Sequence, residues 1–359
     1  MRGEVVYLYA FDVADEIALG LVTEILSKKA VPFVVRLSSQ IPREQPLYQP
    51  LCVEPLVTAT IRQQPVRVVV RVYGVGVISV TFRVPWHADQ WQELYHLHDP
   101  RLDNGDTLDR FARRVCDEVY EGLRPVLIRS SRIVEPEAYT AFCITDLGQE
   151  TDTVTWFLQN RREIAGLLTQ TMPQLLSDEQ VQETLRIRRS YEKTDLVVID
   201  WDAALIVDTK GYMEDVLYVL ELANLQLEEF RMMDHRLDKY LDRAYDDLER
   251  GRWGIMLFQL RRTLSKLRRF RVDVTRIADE VSHITKFLGD WYLARVYLGA
   301  KERFHLDHWR QSVEQRLAQL DHLYQIFQSE IYERRMLWME AAIVLLFIID
   351  LVALFLFRH

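Results

Sequence analysis

The chain has 359 residues, of which 49% are hydrophobic and 27% are charged, which suffices for a large core and excludes a disordered chain. Its formal net charge of −8 argues against binding nucleic acid non-specifically over the whole surface. The three cysteines lie far apart and form no CxxC pair, which argues against a disulfide framework and a cysteine zinc site.

The prolines divide the chain into two regions. Ten of the eleven lie before residue 150, and none follows Pro173. Proline disrupts helix interiors, so the long proline-free stretch favours long helices. We therefore predict four parts: an α+β head domain at residues 1–210, a helical hairpin or bundle at 211–300, a coiled-coil-like helix at 301–335, and a transmembrane helix at 336–357.

The first 210 residues alternate between apolar strand patterns and helix patterns. Strands are predicted at residues 4–11, 31–37, 66–84 (two strands), 125–132, 137–145 and 196–207, and helices at 12–29, 88–97, 108–123 and 156–169, with another starting at Ser177. This irregular order predicts a small mixed sheet covered by helices, not a doubly wound parallel sheet. Gly74 and Gly76 indicate a hairpin turn, because a dinucleotide-binding loop needs a third glycine and a following helix.

The helical region carries two runs of opposite charge. Asp234, Asp238, Asp242 and Asp246 recur every four residues, and six basic residues lie within eleven positions: Arg261, Arg262, Lys266, Arg268, Arg269 and Arg271. If the chain reverses near residue 252, the two runs face each other across two helices. The alternative is that the basic helix at 261–271 binds an anionic partner such as RNA, the ribosome or anionic lipid. Nucleic acid is the less favoured partner, and both interpretations stay open.

Apolar residues at heptad spacing lead towards the C-terminus. Leu306, Val313, Leu320 and Phe327 occupy one seam position, and Leu317, Tyr324, Ile331 and Trp338 occupy the other. This spacing is typical of a coiled coil and predicts a homo-oligomer that associates through its C-terminal helices. An ordinary helix packed within the same chain is the alternative.

The segment from Trp338 to Phe357 is twenty residues long and mostly apolar. As a helix it would rise about 30 Å, the thickness of a bilayer core. It predicts a C-terminal tail anchor in the lipid bilayer. No signal peptide is recognisable, so we expect the bulk of the chain in the cytoplasm, at a bacterial inner membrane. The alternative is a buried core helix that ends a globular domain.

Asp350 lies deep within this predicted span and Glu340 lies near its edge. Carboxylates inside a membrane usually face protein or water and have a functional or assembly role. A single span with one central carboxylate is too little for a transporter. We therefore predict that Trp338, Glu340 and Asp350 help assembly within the bilayer, with a proton or ion path as the alternative.

The C-terminal sequence EIYERRMLWMEAAIVLLFIID resembles the end of the "required for meiotic nuclear division" family. Glu340 and Asp350 have the same spacing as two acidic residues of that family. The tryptophan differs in position, because Trp338 precedes the glutamate here, whereas the family's tryptophan follows it. YGVGVISVTFRVP is loosely similar to that family's N-terminal hairpin. The biochemical function of that family is unknown, and the resemblance implies a membrane-anchored, non-enzymatic organiser.

Asp200 and Asp202 are the weak candidates for a metal site. Two residues apart on a strand, they share a face and could bind Mg²⁺ or act as an acid–base pair. The competing interpretation is a turn whose aspartates cap main-chain N–H groups.

From these patterns we predict a non-enzymatic scaffold or adaptor, without a cofactor, whose head domain binds an unknown protein partner. The alternatives are a binder of RNA, the ribosome or anionic lipid, and a membrane-tethered metal-dependent enzyme that uses Asp200 and Asp202.

Overall fold

The structure is a computed structural model that falls into two compact units. The first unit contains Met1–Met232 and Asp279–Trp309, and the second contains Met233–Ala278 and Arg310–His359. The residues described are 1–25, 30–32, 50–53, 55, 58–130, 135–148, 152–208, 212–249, 271–272, 275 and 291–356.

Strands of the first unit form a ten-stranded mixed sheet and a small two-stranded sheet. The large sheet has the order β10-β11-β12-β9-β1-β7-β6-β4-β3, with β5 paired to β6, and β2 pairs with β8 in the small one. All pairs are antiparallel except β9 with β12. The strands are β1 (Arg2–Asp12), β2 (Ala14–Ile17), β3 (Ala30–Pro32), β4 (Leu51–Val53), β5 (Ala59–Ile61), β6 (Gln64–Tyr73), β7 (Val77–His87), β8 (Leu127–Ser130), β9 (Glu137–Asp146), β10 (Arg188–Arg189), β11 (Asp195–Ile199) and β12 (Ala203–Asp208).

Helices cover both faces of the large sheet. On one face, Phe82 of β7 stacks on Phe111 of α3 with 5.2 Å between ring centroids. On the other face, Ala10 of β1 packs with Leu222 and Leu225 of α7. The helices are α1 (Leu19–Ile25), α2 (Gln92–Tyr95), α3 (Leu108–Leu123), α4 (Thr153–Gln159), α5 (Arg161–Thr169), α6 (Asp178–Thr184), α7 (Met213–Glu249), α8 (Trp291–Arg303) and α9 (Leu306–Leu356).

The β6–β7 hairpin explains the two glycines in YGVGV. Gly76 has φ +95°, a conformation that side chains with a Cβ rarely adopt. A Cβ there would also overlap the main-chain carbonyl of Ala14. The predicted hairpin is confirmed, and these glycines form a turn rather than a phosphate-binding loop.

The predicted small sheet is wrong in size. The separate local strands were largely recognisable, but the parallel pair of β9 with β12 joins the β10–β12 group to the sheet built around β1 and β7. That pairing links residues more than sixty positions apart, and no local pattern encodes it. The predicted helix at 12–29 is also partly wrong, since β2 occupies Ala14–Ile17. The predicted strand at 31–37 lies mostly outside the described residues.

In the second unit, α9 supplies partners for two residues of the aspartate stripe, Asp234 and Asp238. Arg316 of α9 donates from Nε to Asp234 at 2.8 Å and also forms an ion pair with Asp238. Ser312 donates a further hydrogen bond to Asp234 at 3.2 Å. The predicted opposition of the aspartate stripe to the basic run stays a prediction, because residues 261–270 lie outside the described residues.

The predicted tail anchor is wrong, and so is the inner-membrane location that depended on it. Within the described part of the chain, no helix has both the length and the apolarity needed to cross a membrane. Asp350 lies within the apolar part of α9, and a carboxylate there opposes insertion into a bilayer.

Candidate functional site

Asp200 lies at the end of β11, where the chain turns into β12. Its main-chain N–H donates to the carbonyl of Ala203 at 2.9 Å, closing the turn. Arg303 of α8 donates from Nε to the Asp200 carboxylate at 2.8 Å and forms a second contact through Nη2. The two side chains are only 8% and 11% exposed, so this ion pair fastens α8 to the β11–β12 turn.

Asp202 lies beside this ion pair on the exposed side of the turn. Loss of solvent raises the pKa of its carboxyl, and the charge of Asp200 raises it further. A bound metal ion would have to compete with Arg303 for the oxygen of Asp200 that already receives two N–H groups. The described residues contain no group of three or more His, Cys, Asp or Glu placed to hold a metal. The geometry therefore offers no support for the metal-dependent enzyme.

The other predicted site residues belong to the second unit. Trp338, Glu340 and Asp350 occupy exposed positions on α9, and Trp338 is 78% exposed. Of the basic run, only Arg271 is described, and it forms an ion pair with Asp321. Arg261, Arg262, Lys266, Arg268 and Arg269 lie outside the described residues.

A different cluster of cationic side chains lies at the β10 edge of the large sheet. It surrounds a cleft of about 210 Å³, which we call the arginine cleft. The residues that line it are Thr153, Val154, Phe157 and Leu158 of α4, Arg188, Arg189 and Ser190 at β10, Asp195 and Leu196 of β11, and Arg295 of α8.

Strand geometry sets the positions of the two neighbouring arginines. Successive side chains of a strand point to opposite faces of the sheet. Arg188 lies over the ring of Phe157, 5.3 Å from its centroid, on the α4 side. Arg189 lies on the α8 side, where Nε donates to the carbonyl of Arg295 at 3.3 Å and Nη1 donates to the carbonyl of Arg188 at 2.8 Å. The cleft thus has a guanidinium group on each of its walls.

Asp195 is the acidic residue of the cleft, and its carboxylate already has several donors. It accepts hydrogen bonds from the main-chain N–H of Tyr191 at 3.0 Å and from that of Glu192. The hydroxyl of Tyr292 donates to it at 2.8 Å. Burial and then the charge of Asp195 raise the pKa of Tyr292. Asp195 therefore shapes the β10–β11 loop, and three arginines against one aspartate leave the cleft positively charged.

Thr153 lines the cleft at the start of α4. The residue is 1% exposed, and its main-chain N–H donates to the carbonyl of Lys193 at 3.0 Å, which fixes its position. Its hydroxyl is buried and has no hydrogen-bond partner among the described residues.

Sequence reasoning missed this cleft. The run Leu185-Arg186-Ile187-Arg188 alternates apolar and basic residues, which is a strand signal with one charged face. This alternation could have identified β10 from the sequence. Arg295, more than a hundred positions away, carries no local sign that it faces β10.

Comparison with known proteins gives a match to a family model and a match to a curated protein. The model of the family described as "Uncharacterized protein MJ0711, N-terminal domain" matches residues 2–214. Uncharacterized protein MJ0711 of Methanocaldococcus jannaschii is 22% identical over 217 residues, or 60% of this chain. The chain spans 65% of that relative, just under two thirds of its length. No solved structure matches.

These matches correct the family prediction. The recognised family lies in the N-terminal part, at residues 2–214, and not in the C-terminal segment around Glu340 and Asp350. The predicted resemblance to the meiotic nuclear division family is therefore wrong. Every residue of the arginine cleft except Arg295 falls inside the matched range.

Proposed function

The chain belongs to the family of the MJ0711 N-terminal domain, and we propose that it is a non-enzymatic adaptor whose arginine cleft binds an anionic group of a partner protein. The observation that carries this proposal is the convergence of Arg188, Arg189 and Arg295 on one cleft. The planar guanidinium group presents paired N–H donors that match a carboxylate or a phosphate.

Exposure of the cleft supports recognition of a macromolecule. On the α4 wall, Val154 is 51% exposed and Leu158 is 58% exposed. Apolar side chains beside arginines are typical of protein interfaces, where Arg is enriched and apolar surface is buried on binding. The charge balance also supports the proposal, since the carboxylate of Asp195 is already bound by three donors from its own unit.

Two further parts of the function stay predictions. Self-association through the C-terminal helices is consistent with the exposed apolar side chains of α9, such as Leu346 and Phe347. The alternative of RNA, ribosome or lipid binding rests on residues 261–271, of which only Arg271 is described.

The double variant Arg188→Ala, Arg295→Ala tests the adaptor proposal. Both side chains are exposed, and removal of an exposed cation over an aromatic ring costs about 1 kcal/mol or less, so the variant should fold. We expect the wild-type chain, used as bait in a lysate of its source cells, to enrich a defined set of proteins. The double variant should lose at least nine-tenths of that enrichment, measured by quantitative mass spectrometry.

A matched control removes the same charge elsewhere on the first unit. Arg110→Ala with Arg124→Ala changes two exposed arginines, the first within α3 and the second directly after it. This control should enrich the same proteins as the wild type. Equal enrichment by all three baits, at matched folding by circular dichroism, would refute the cleft as the binding site.

A further inference from the structure

The strand at the floor of the arginine cleft has one edge that faces away from the sheet. β10 is the last strand at its end of the described sheet and pairs with β11 in antiparallel register, Arg188 opposite Val198 and Arg189 opposite Val197. The main-chain N–H of Ile199 donates to the carbonyl of Ile187 at 2.9 Å, which makes that pair a hydrogen-bonded one.

The register decides which main-chain groups point outwards. Hydrogen-bonded and non-hydrogen-bonded pairs alternate along an antiparallel ladder. If Ile187 bonds towards β11, then Arg188 directs its N–H and C=O groups away from it, on the side of the cleft that it lines. The Arg188 carbonyl accepts one bond from Arg189, and a carbonyl oxygen has a second lone pair.

The two walls beside this edge differ in character. Val154, Phe157 and Leu158 make the α4 wall apolar. Arg295 makes the α8 wall basic, and its guanidinium group is exposed. An extended chain has side chains alternating between two faces, so a strand laid along β10 would present one set of side chains to each wall.

We propose that the partner segment is an extended peptide of alternating acidic and apolar residues that pairs with β10 as an added strand. This inference rests on the proposed function and specifies its ligand. The peptide's main chain bonds Arg188, its acidic side chains face Arg189 and Arg295 on the α8 wall, and its apolar side chains cover Val154 and Leu158 on the α4 wall. Strand addition to an exposed edge is an established mode of peptide recognition, with affinity from the main chain and specificity from the flanking side chains.

A strand explains more of the cleft than an isolated anion does. An anion would use the arginines, but it would leave the exposed apolar wall and the outward main-chain groups of Arg188 unused. Edge strands are commonly protected by charged side chains that oppose pairing with other chains. The positive charge of Arg189 and Arg295 opposes a strand with basic side chains on the α8 side and favours one with acidic side chains there.

The test uses the full chain and a fluorescein-labelled nine-residue peptide of alternating glutamate and valine, measured by fluorescence anisotropy. We expect saturable binding that Arg188→Ala with Arg295→Ala weakens at least tenfold, while Arg110→Ala with Arg124→Ala leaves it unchanged. Binding should also weaken as salt is added, because exposed charges are screened.

Two N-methylated versions of the peptide separate strand pairing from charge attraction. One version carries a methyl group on the main-chain nitrogen of every glutamate, and the other carries it on that of every valine. Because the N–H groups of alternate residues point to the same edge of a strand, each version is blocked along one edge. Strand addition predicts that the version blocked on the β10 side loses binding at least tenfold relative to the other. Equal binding by both versions would overturn the added strand, and no binding by the parent peptide would do the same. If the cleft variant still loses its lysate partners in either case, the adaptor proposal stands without the strand.

Discussion

The variant Glu221→Leu should be less stable than the wild-type chain by about 3 kcal/mol, because it removes the carboxylate that pairs with the buried Arg71 guanidinium. Nη1 of Arg71, on β6, lies 2.7 Å from Oε2 of Glu221, on α7, and the two side chains are 10% and 3% exposed. Burial alone would lower the pKa of Arg71, and the charge of Glu221 raises it above its usual value. The midpoint of urea denaturation, followed by circular dichroism, gives the change in unfolding free energy.

The double variant Arg71→Met, Glu221→Leu is the matched control. Replacing a buried ion pair by apolar side chains of similar size is often neutral or stabilising, so the second substitution should restore most of the lost stability. An additive loss in the double variant, or a single variant as stable as the wild type, would contradict the view that this pair anchors α7 to the sheet.

Glu228 should make the first unit less stable as pH rises through the neutral range. Burial, followed by the nearby charge of Asp12, raises the pKa of this α7 carboxyl from 4.5 to about 8. Between these values the folded chain holds a proton that the unfolded chain has released, so stability falls as pH rises from about 4.5 to about 8. A pKa shift of one unit corresponds to about 1.4 kcal/mol, so the free energy of unfolding should fall by up to about 5 kcal/mol over this pH range. Chemical denaturation at pH 5 and pH 8.5 measures this dependence.

Glu228→Gln removes the titrating group and should flatten this part of the stability profile. The variant should gain most over the wild type at pH 8.5 and least at pH 5. Glu118→Gln, at an exposed position of α3, serves as the control and should follow the wild-type profile. Parallel wild-type and Glu228→Gln profiles would show that Glu228 does not carry this dependence.

Local signals predicted several elements well. The helix predicted over residues 108–123 is confirmed as α3, whose N-cap Thr107 accepts a hydrogen bond from the main chain of Arg110. The predicted cap at Ser177 is also confirmed, with its hydroxyl accepting from the N–H of Gln180 at 3.1 Å. Caps and periodic apolar residues act within a few positions, so a single sequence contains them.

Burial of α7 shows where such signals fail. Leu217, Leu220, Ala223, Leu227 and Phe230 recur at steps of three and four, which favours one buried face, yet residues 216–230 are all buried. Glu221 and Glu228 are therefore buried carboxylates, which this apolar pattern does not reveal. An amphipathic pattern reports the face that needs burial and not what covers the rest of the helix.

The candidate site was beyond local reasoning for a similar reason. Asp200 and Asp202 were recognisable as a turn, but the guanidinium of Arg303 that neutralises Asp200 comes from a helix a hundred residues later. The arginine cleft likewise depends on Arg295 meeting β10. The sequence contains these residues, and the tertiary fold alone brings them together.

Site-specific photo-crosslinking tests the adaptor proposal most directly. A p-benzoylphenylalanine placed at Leu158, on the exposed wall of the arginine cleft, should crosslink the enriched partner protein when the full chain is irradiated in its source cells. The same photo-crosslinker at Ile128, an exposed apolar position of β8 outside the cleft, should give no such product. A partner crosslinked equally from both positions, or from Ile128 alone, would contradict the assignment of the arginine cleft as the binding site.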